Sequence, residues 1–195
     1  MGTVYRAHDP QIGRTIAIKV LLVDEDDLRA RFRQEVRTAG TLTHQNIAAI
    51  YDYGEADGRP FIVMEYVEGR TLAELLRDRV PLTLAYKLRL IQQLCAALDY
   101  AHARGVVHRD IKPANLMLDR HGDLKIVDFG VAKMGDGQLT RTGDVLGTLT
   151  YMSPEQIDGG VIDRRSDIFS VGVVLYEVVS SHRAFRGHVP PRRAG

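Results

Sequence analysis

The chain has 195 residues, 45% of them hydrophobic, enough to bury a core in one domain or two small lobes. A formal net charge of +1 points to no nucleic-acid or membrane partner held by bulk charge. Cys95 is the only cysteine, which excludes an internal disulfide.

Its place in the apolar run Leu94-Cys95-Ala96-Ala97-Leu98 reads as a small buried hydrophobe. No apolar leader is visible between Met1 and Pro10. The longest apolar run, Val171 to Val179, holds Gly172 and Glu177 and is too short to span a bilayer. A cytoplasmic location is the expectation.

The first third alternates like strands. Val4 to Ala7 and Thr15 to Leu22 are β-rich, parted by the turn-like Asp9 to Gly13. Asp26 to Ala39 has helical spacing, with Leu28, Phe32, Val36 and Ala39 on one face. Ile47 to Tyr53 and Pro60 to Val67 read as two further strands joined by Ala56-Asp57-Gly58. Glu68-Gly69 is a connector, and Thr71 to Glu74 has capping-box spacing. Thr83 to Arg104 predicts a long helix with Leu84, Leu88, Ile91, Cys95 and Leu98 inward, stopped by Gly105. Short strands and loops fill 106 to 133, and a loop rich in Gly and Thr spans 134 to 150. Asp167 to Ser180, apolar on nearly all sides, predicts a buried helix. The fold class is therefore α+β: a small antiparallel β lobe with one helix, then a larger, mainly helical lobe. A cleft between two lobes is where ligand sites tend to form.

Phosphoryl transfer from a nucleotide needs an acceptor for the substrate hydroxyl proton, oxygen ligands for Mg²⁺ and a cation near the moving group. Asp110 can be the acceptor, Lys112 the cation, and Asn115 with Asp128 the metal ligands. Each alone is a common turn or surface residue. Together they stand in a strict order: His108-Arg109-Asp110, Lys112, Pro113, Asn115, then Asp128-Phe129-Gly130.

On those residues the chain resembles a eukaryotic-type protein kinase catalytic domain, and Asp-x-Lys-Pro-x-Asn at 110 to 115 resembles the Ser/Thr-specific branch. The resemblance implies a bilobal kinase-like fold, ATP with Mg²⁺ or Mn²⁺ as cofactors, and Ser/Thr-containing proteins as substrates. It implies that Lys19, in Ile16-Ala17-Ile18-Lys19, holds the α- and β-phosphates and pairs with Glu35. Gly2, Val4, Ala17, Met64, Glu65, Val67 and Met117 match the nucleotide-binding positions, with Met64 at the back of the adenine site and Glu65 to Val67 at the hinge. Ala39, Ile50, His108 and Phe129 match a hydrophobic column anchored by Asp167, so His108 is a packing residue. The other histidines, His102 among them, belong to no constellation.

Asp128 to Glu155 matches the activation segment. Ser153-Pro154-Glu155 stands where the family has Ala-Pro-Glu, and Thr148 matches the substrate-docking threonine. Arg109 before Asp110 goes with activation by loop phosphorylation. Thr140 and Thr142 match the Thr-x-Thr at which similar bacterial kinases autophosphorylate, which implies a kinase dimer acting in trans.

The resemblance runs from Gly2 to about Gly187 and departs at both ends. Only the last glycine of the glycine-rich loop, Gly2, and Val4 are present. The expected organisation is residues 1–67 as a small lobe lacking its first strand, 68–187 as a partial large lobe, and 188–195 as a tail. Glu155 would be left buried without an arginine partner, so weak stability and weak activity are expected. Two rivals compete with an active kinase. One is a truncated, catalytically weak or inactive binding module. The other is a small-molecule phosphotransferase of related fold, which generally lacks the Gly147-Thr148…Ser153-Pro154-Glu155 segment.

Overall fold

Ile16, Ile18 and Val20, alternating along the second strand, and a turn closed by Gly13 build the first hairpin. Strand β1, Gly2–Asp9, pairs antiparallel with β2, Arg14–Leu21, setting Val4 opposite Lys19. This is a computed structural model, and it describes residues 2–21, 26–129 and 149–185, with the side chains of 26–32 left out. Gly130, Thr140, Thr142, Gly147, Thr148 and the tail 188–195 lie outside the described residues.

Helix α1, Asp26–Ala39, follows, then β3, Ile50–Ala56, and β4, Arg59–Glu65. Asp57 and Gly58 both take positive φ, 50° and 71°, the two-residue turn geometry that suits a tight hairpin. The four strands form one antiparallel sheet in the order β1-β2-β4-β3. Ala17 faces Met64 and Lys19 faces Ile62 across β2 and β4. Ala17, Leu21, Val36, Ile62 and Met64 close a small core beneath this sheet.

The third strand begins at Ile50, not Ile47 as expected. Residues 46 to 48 give their backbone bonds to the other sheet: Ile126 N–H donates to the Asn46 carbonyl at 2.8 Å, and Ala48 N–H to the Ile126 carbonyl at 2.9 Å. The buried Asn46 side chain adds a bond from Nδ2 to the Leu124 carbonyl at 2.7 Å.

The second sheet is β5, Gly69–Thr71, with β6, Leu116–Asp119, and β7, Leu124–Ile126. A Cβ on Gly69 would fall 1.8 Å from the Leu118 carbonyl oxygen, so only glycine permits this pairing. Thr71 caps α2, Leu72–Arg77, by the capping box its spacing predicts, with Glu74 reaching back to Thr71 N–H at 2.8 Å.

Helix α3, Leu84–His102, carries the main core on Leu90, Ile91, Leu94, Ala97, Leu98 and Ala101. That stripe corrects the expected one. Ile91 and Leu98 face inward, but Leu84, Leu88 and Cys95 are exposed. The long apolar run offers several stripes at helical spacing, and packing against the second sheet and the last helix selects among them. A short 3₁₀ turn at Pro113–Asn115 precedes β6.

After the undescribed segment come α4, Pro154–Asp158, and α5, Arg164–Ser180. Helix α5 starts earlier than the apolar pattern predicts because Asp163 caps it, accepting from Arg165 N–H at 2.8 Å. It is also not buried all round. Asp167, Val171, Val174 and Val178 pack inward, whereas Ile168, Tyr176 and Val179 are exposed. No helix among the described residues is long and apolar enough to cross a membrane.

Candidate active site

The segment from His108 to Asn115 lies where the helical lobe meets the β lobe, with Arg109 paired to Glu35 of α1. Its backbone is held in an unfavourable shape. Arg109 has φ of +67° and Asp128 of +62°, a region that costs a non-glycine residue about 1–3 kcal/mol and persists only where the surroundings impose it.

Asp167 at the start of α5 does much of the imposing. Its Oδ2 accepts from His108 N–H and its Oδ1 from Arg109 N–H, both at 2.8 Å. His102 Nε2 donates to the same Oδ2 at 2.8 Å. Burial alone would raise the Asp167 carboxyl, but these bonds outweigh it and hold the group below the usual carboxylate range. Asp167 therefore stays ionised inside the protein. His102, assigned no constellation from the sequence, belongs to this network. The signal available was its position at the end of α3, just before the Gly105 turn that folds the chain back to His108.

His108 is fully buried. Its Nδ1 accepts from Asp110 N–H at 3.2 Å, so Nε2 carries the proton and donates to the Val127 carbonyl at 3.2 Å. Burial lowers its pKa and keeps the ring neutral. The ring meets Phe129 edge-on at 4.7 Å between centroids, as a packing role requires.

Asp110 and Lys112 are together, with Lys112 Nζ 2.8 Å from Asp110 Oδ2. Asn115 Nδ2 donates to the Asp110 carbonyl at 2.8 Å and to its Oδ2 at 3.0 Å. That commits the donor end of the amide, and its oxygen is the end whose chemistry suits a cation. Val127 N–H donates to the Asn115 carbonyl at 2.9 Å, which brings Asp128 alongside. An amide oxygen and a carboxylate are the hard donors that suit Mg²⁺, with water and phosphate completing its shell. No cluster of three or more His, Cys, Asp or Glu with metal-site spacing exists among the described residues.

The small-lobe residues are placed differently from expectation. Lys19, 6% exposed on β2, reaches Asp128 Oδ1 at 2.9 Å. Glu35 on α1 does not pair with Lys19. Its Oε1 accepts from Arg109 Nη1 at 3.0 Å. Two cations and two carboxylates are available, and they pair as Lys19 with Asp128 and Arg109 with Glu35. Glu35 Oε2 and Arg109 Nε remain buried without a hydrogen-bond partner among the described residues. Burial raises the Glu35 pKa, and the Arg109 charge only partly offsets this.

Met64 is buried opposite Ala17, with Glu65 and Val67 following. The Glu65 side chain is not free at the hinge. Lys125 Nζ lies 2.9 Å from its Oε1, and Ala49 N–H donates to Oε2 at 3.2 Å. Val4 is exposed on β1, and Met117 is half-buried on β6. Glu155 is not stranded as expected. It is half-exposed, and its Oε1 accepts from Ser166 Oγ at 2.5 Å. That hydroxyl holds its carboxyl below the usual range.

A β lobe joined to a helical lobe, with Lys19 bonded to Asp128 across them and Asn115 bonded to Asp110, has the architecture of a protein kinase domain. A profile of the protein kinase domain family matches residues 1–192, and the chain belongs to that family. It is 45% identical to a probable serine/threonine-protein kinase of Streptomyces coelicolor, over 97% of this chain and 30% of that protein. It is 42% identical to the serine/threonine-protein kinase PrkC of Bacillus subtilis, over 96% of this chain and 30% of that protein. It is 40% identical to the serine/threonine-protein kinase PknB of Mycobacterium tuberculosis, over 97% of this chain and 32% of that protein. The chain thus spans about a third of the length of these curated relatives.

Proposed function

We propose that this chain is the catalytic domain of an ATP-dependent Ser/Thr protein kinase. The observation that carries the reading is Asp110, fixed between Lys112 and Asn115 at 2.8 and 3.0 Å on a strained, anchored loop. Asp110 takes the proton of a Ser or Thr hydroxyl. The hydroxyl oxygen bonds to the γ-phosphorus of ATP, the bond to the β-phosphate oxygen breaks, and ADP leaves. Lys112 stabilises negative charge on the moving group, and Lys19 binds the α- and β-phosphates. Asn115 and Asp128 would hold Mg²⁺ (or Mn²⁺), which supplies charge neutralisation at the phosphates. Gly2, Val4, Ala17, Met64, Glu65, Val67 and Met117 would surround the nucleotide. Thr148 would orient the substrate hydroxyl, and Thr140 and Thr142 would be autophosphorylated within a transient dimer.

A second reading, a catalytically weak binding module, draws on one observation: Glu35 is paired with Arg109 instead of Lys19. Phosphate transfer from labelled ATP to a Ser/Thr-containing protein separates the two. The kinase reading expects transfer by the wild-type chain, abolished in Asp110→Asn. Transfer absent from both, with ATP still bound, supports the second. Loss of self-labelling in a Thr140→Ala, Thr142→Ala double variant tests the autophosphorylation sites.

A further inference from the structure

The peptide group between Arg109 and Asp110 sets where the Asp110 side chain starts. Its N–H donates to His108 Nδ1 at 3.2 Å. Its carbonyl oxygen, on Arg109, accepts from Gln156 Nε2 at 2.7 Å, a contact 47 residues along the chain. Gln156 sits on α4, the helix opened by Ser153-Pro154-Glu155. The same amide turns its Oε1 to Ser153, accepting from N–H at 3.0 Å and from Oγ at 3.3 Å. Only this orientation of the amide avoids setting oxygen against the Arg109 oxygen, so the network fixes it.

One side chain therefore caps α4 with its acceptor and holds the catalytic loop with its donor. Arg109, at φ +67°, is gripped on both sides: its N–H by Asp167 of α5 and its carbonyl by Gln156 of α4. A primary amide on a two-carbon stem supplies both functions at this reach. Glutamate would keep the cap and lose the donor. Leucine would lose both.

We propose that Gln156 is a positioning residue that couples the helix ending the activation segment to Asp110, so that the placement of the base depends on the seating of α4. This rests on the kinase reading for its catalytic consequence. A change in the activation segment that moves α4 would then be felt at the Arg109–Asp110 peptide through one hydrogen bond.

The test compares the full chain with its Gln156→Glu and Gln156→Leu variants. Amide hydrogen exchange is followed over the peptide containing residues 108 to 110, alongside thermal unfolding and steady-state kinetics with ATP. The expected result is exchange about 2–10-fold faster in that peptide in both variants, the factor for losing one hydrogen bond, with β4 unchanged. In the active enzyme, kcat falls at least about tenfold, as misplacement of a catalytic group implies, while KM for ATP stays within about twofold of wild type. Gln156→Glu keeps the Ser153 cap, so a loss of kcat in a variant that still unfolds cooperatively within about 5 °C of wild type separates positioning from folding. Unchanged exchange at 108 to 110 overturns the proposal whatever the activity, and so does unchanged kcat in an active chain. A wild-type chain without activity defeats the kinase reading alone, and exchange still decides the coupling.

Discussion

Lys19 Nζ lies 2.9 Å from Asp128 Oδ1, joining β2, an inner strand of the small lobe, to the aspartate that follows β7. No other carboxylate forms an ion pair with this buried lysine among the described residues. Removing one partner of a fully buried pair costs about 3–5 kcal/mol. Asp128 is a quarter exposed, which lowers the expectation for Asp128→Ala to about 2–3 kcal/mol. Urea unfolding would read this loss, and phosphate transfer should vanish in the same variant. Asp128→Asn, which keeps a hydrogen-bond acceptor for the ammonium, should recover part of the stability but none of the transfer.

His102 is predicted to act through Asp167. In His102→Ala one of three bonds to a buried carboxylate is lost, at about 1–3 kcal/mol. His102→Gln can still present a donor and should recover part of it. Denaturant midpoints for the two variants check the ranking. An equal loss in both would mean that the imidazole matters only by its packing.

His108 makes stability depend on pH, and the sign is fixed. Its folded pKa is depressed below the ordinary value of 6.5, so the unfolded chain binds the extra proton first. Its contribution is fully present above pH 6.5 and is lost progressively as pH falls toward the depressed folded value. The neighbouring carboxylates of Asp167, Asp110 and Asp128 favour the proton but do not overcome burial. Unfolding free energies at pH 7.5 and pH 5.5 should therefore differ more for wild type than for His108→Leu. Equal differences would show that other groups carry the effect.

Cys95 should be modifiable in the native state. It is exposed on α3, and the partial burial of its thiol raises its pKa. A maleimide should label one thiol per chain without denaturant, more slowly at pH 7 than at pH 8.5. Cys95→Ser should change stability by no more than about 0.5 kcal/mol, as an exposed position allows. Labelling that requires unfolding would contradict the exposure.

Much of the fold was legible because it rests on local signals. The capping box at Thr71, the Gly105 stop and the alternation in β2 and β4 each follow from residues close in sequence. The family was legible for another reason: the run from His108 to Asn115, with Asp128-Phe129-Gly130 after it, sets particular residues in a particular order. What could not be read depends on which groups compete in space. Glu35 had two cations to choose between, Lys19 and Arg109, and nothing in the helix pattern ranks them. The inward face of α3 was misjudged at Leu84, Leu88 and Cys95 because a long apolar run offers several stripes at helical spacing. His102 and Asn46 act at distances of 65 and 78 residues, beyond any periodicity.

The segment around Asn46 and Ile47 carries a consequence for how the molecule comes apart. It lies among the small-lobe residues in sequence, yet it is laced to β7 through Asn46 and Ala48, and Ile47 forms a parallel bridge with Ile126. A protease cut between residues 67 and 68 would not release two self-sufficient pieces. The first fragment would carry away a rib of the helical lobe, and the second would expose the edge of β7. Mechanically, the seam between the lobes runs through the first fragment, ahead of β3, and pulling the halves apart would have to unzip that rib before any hinge could turn.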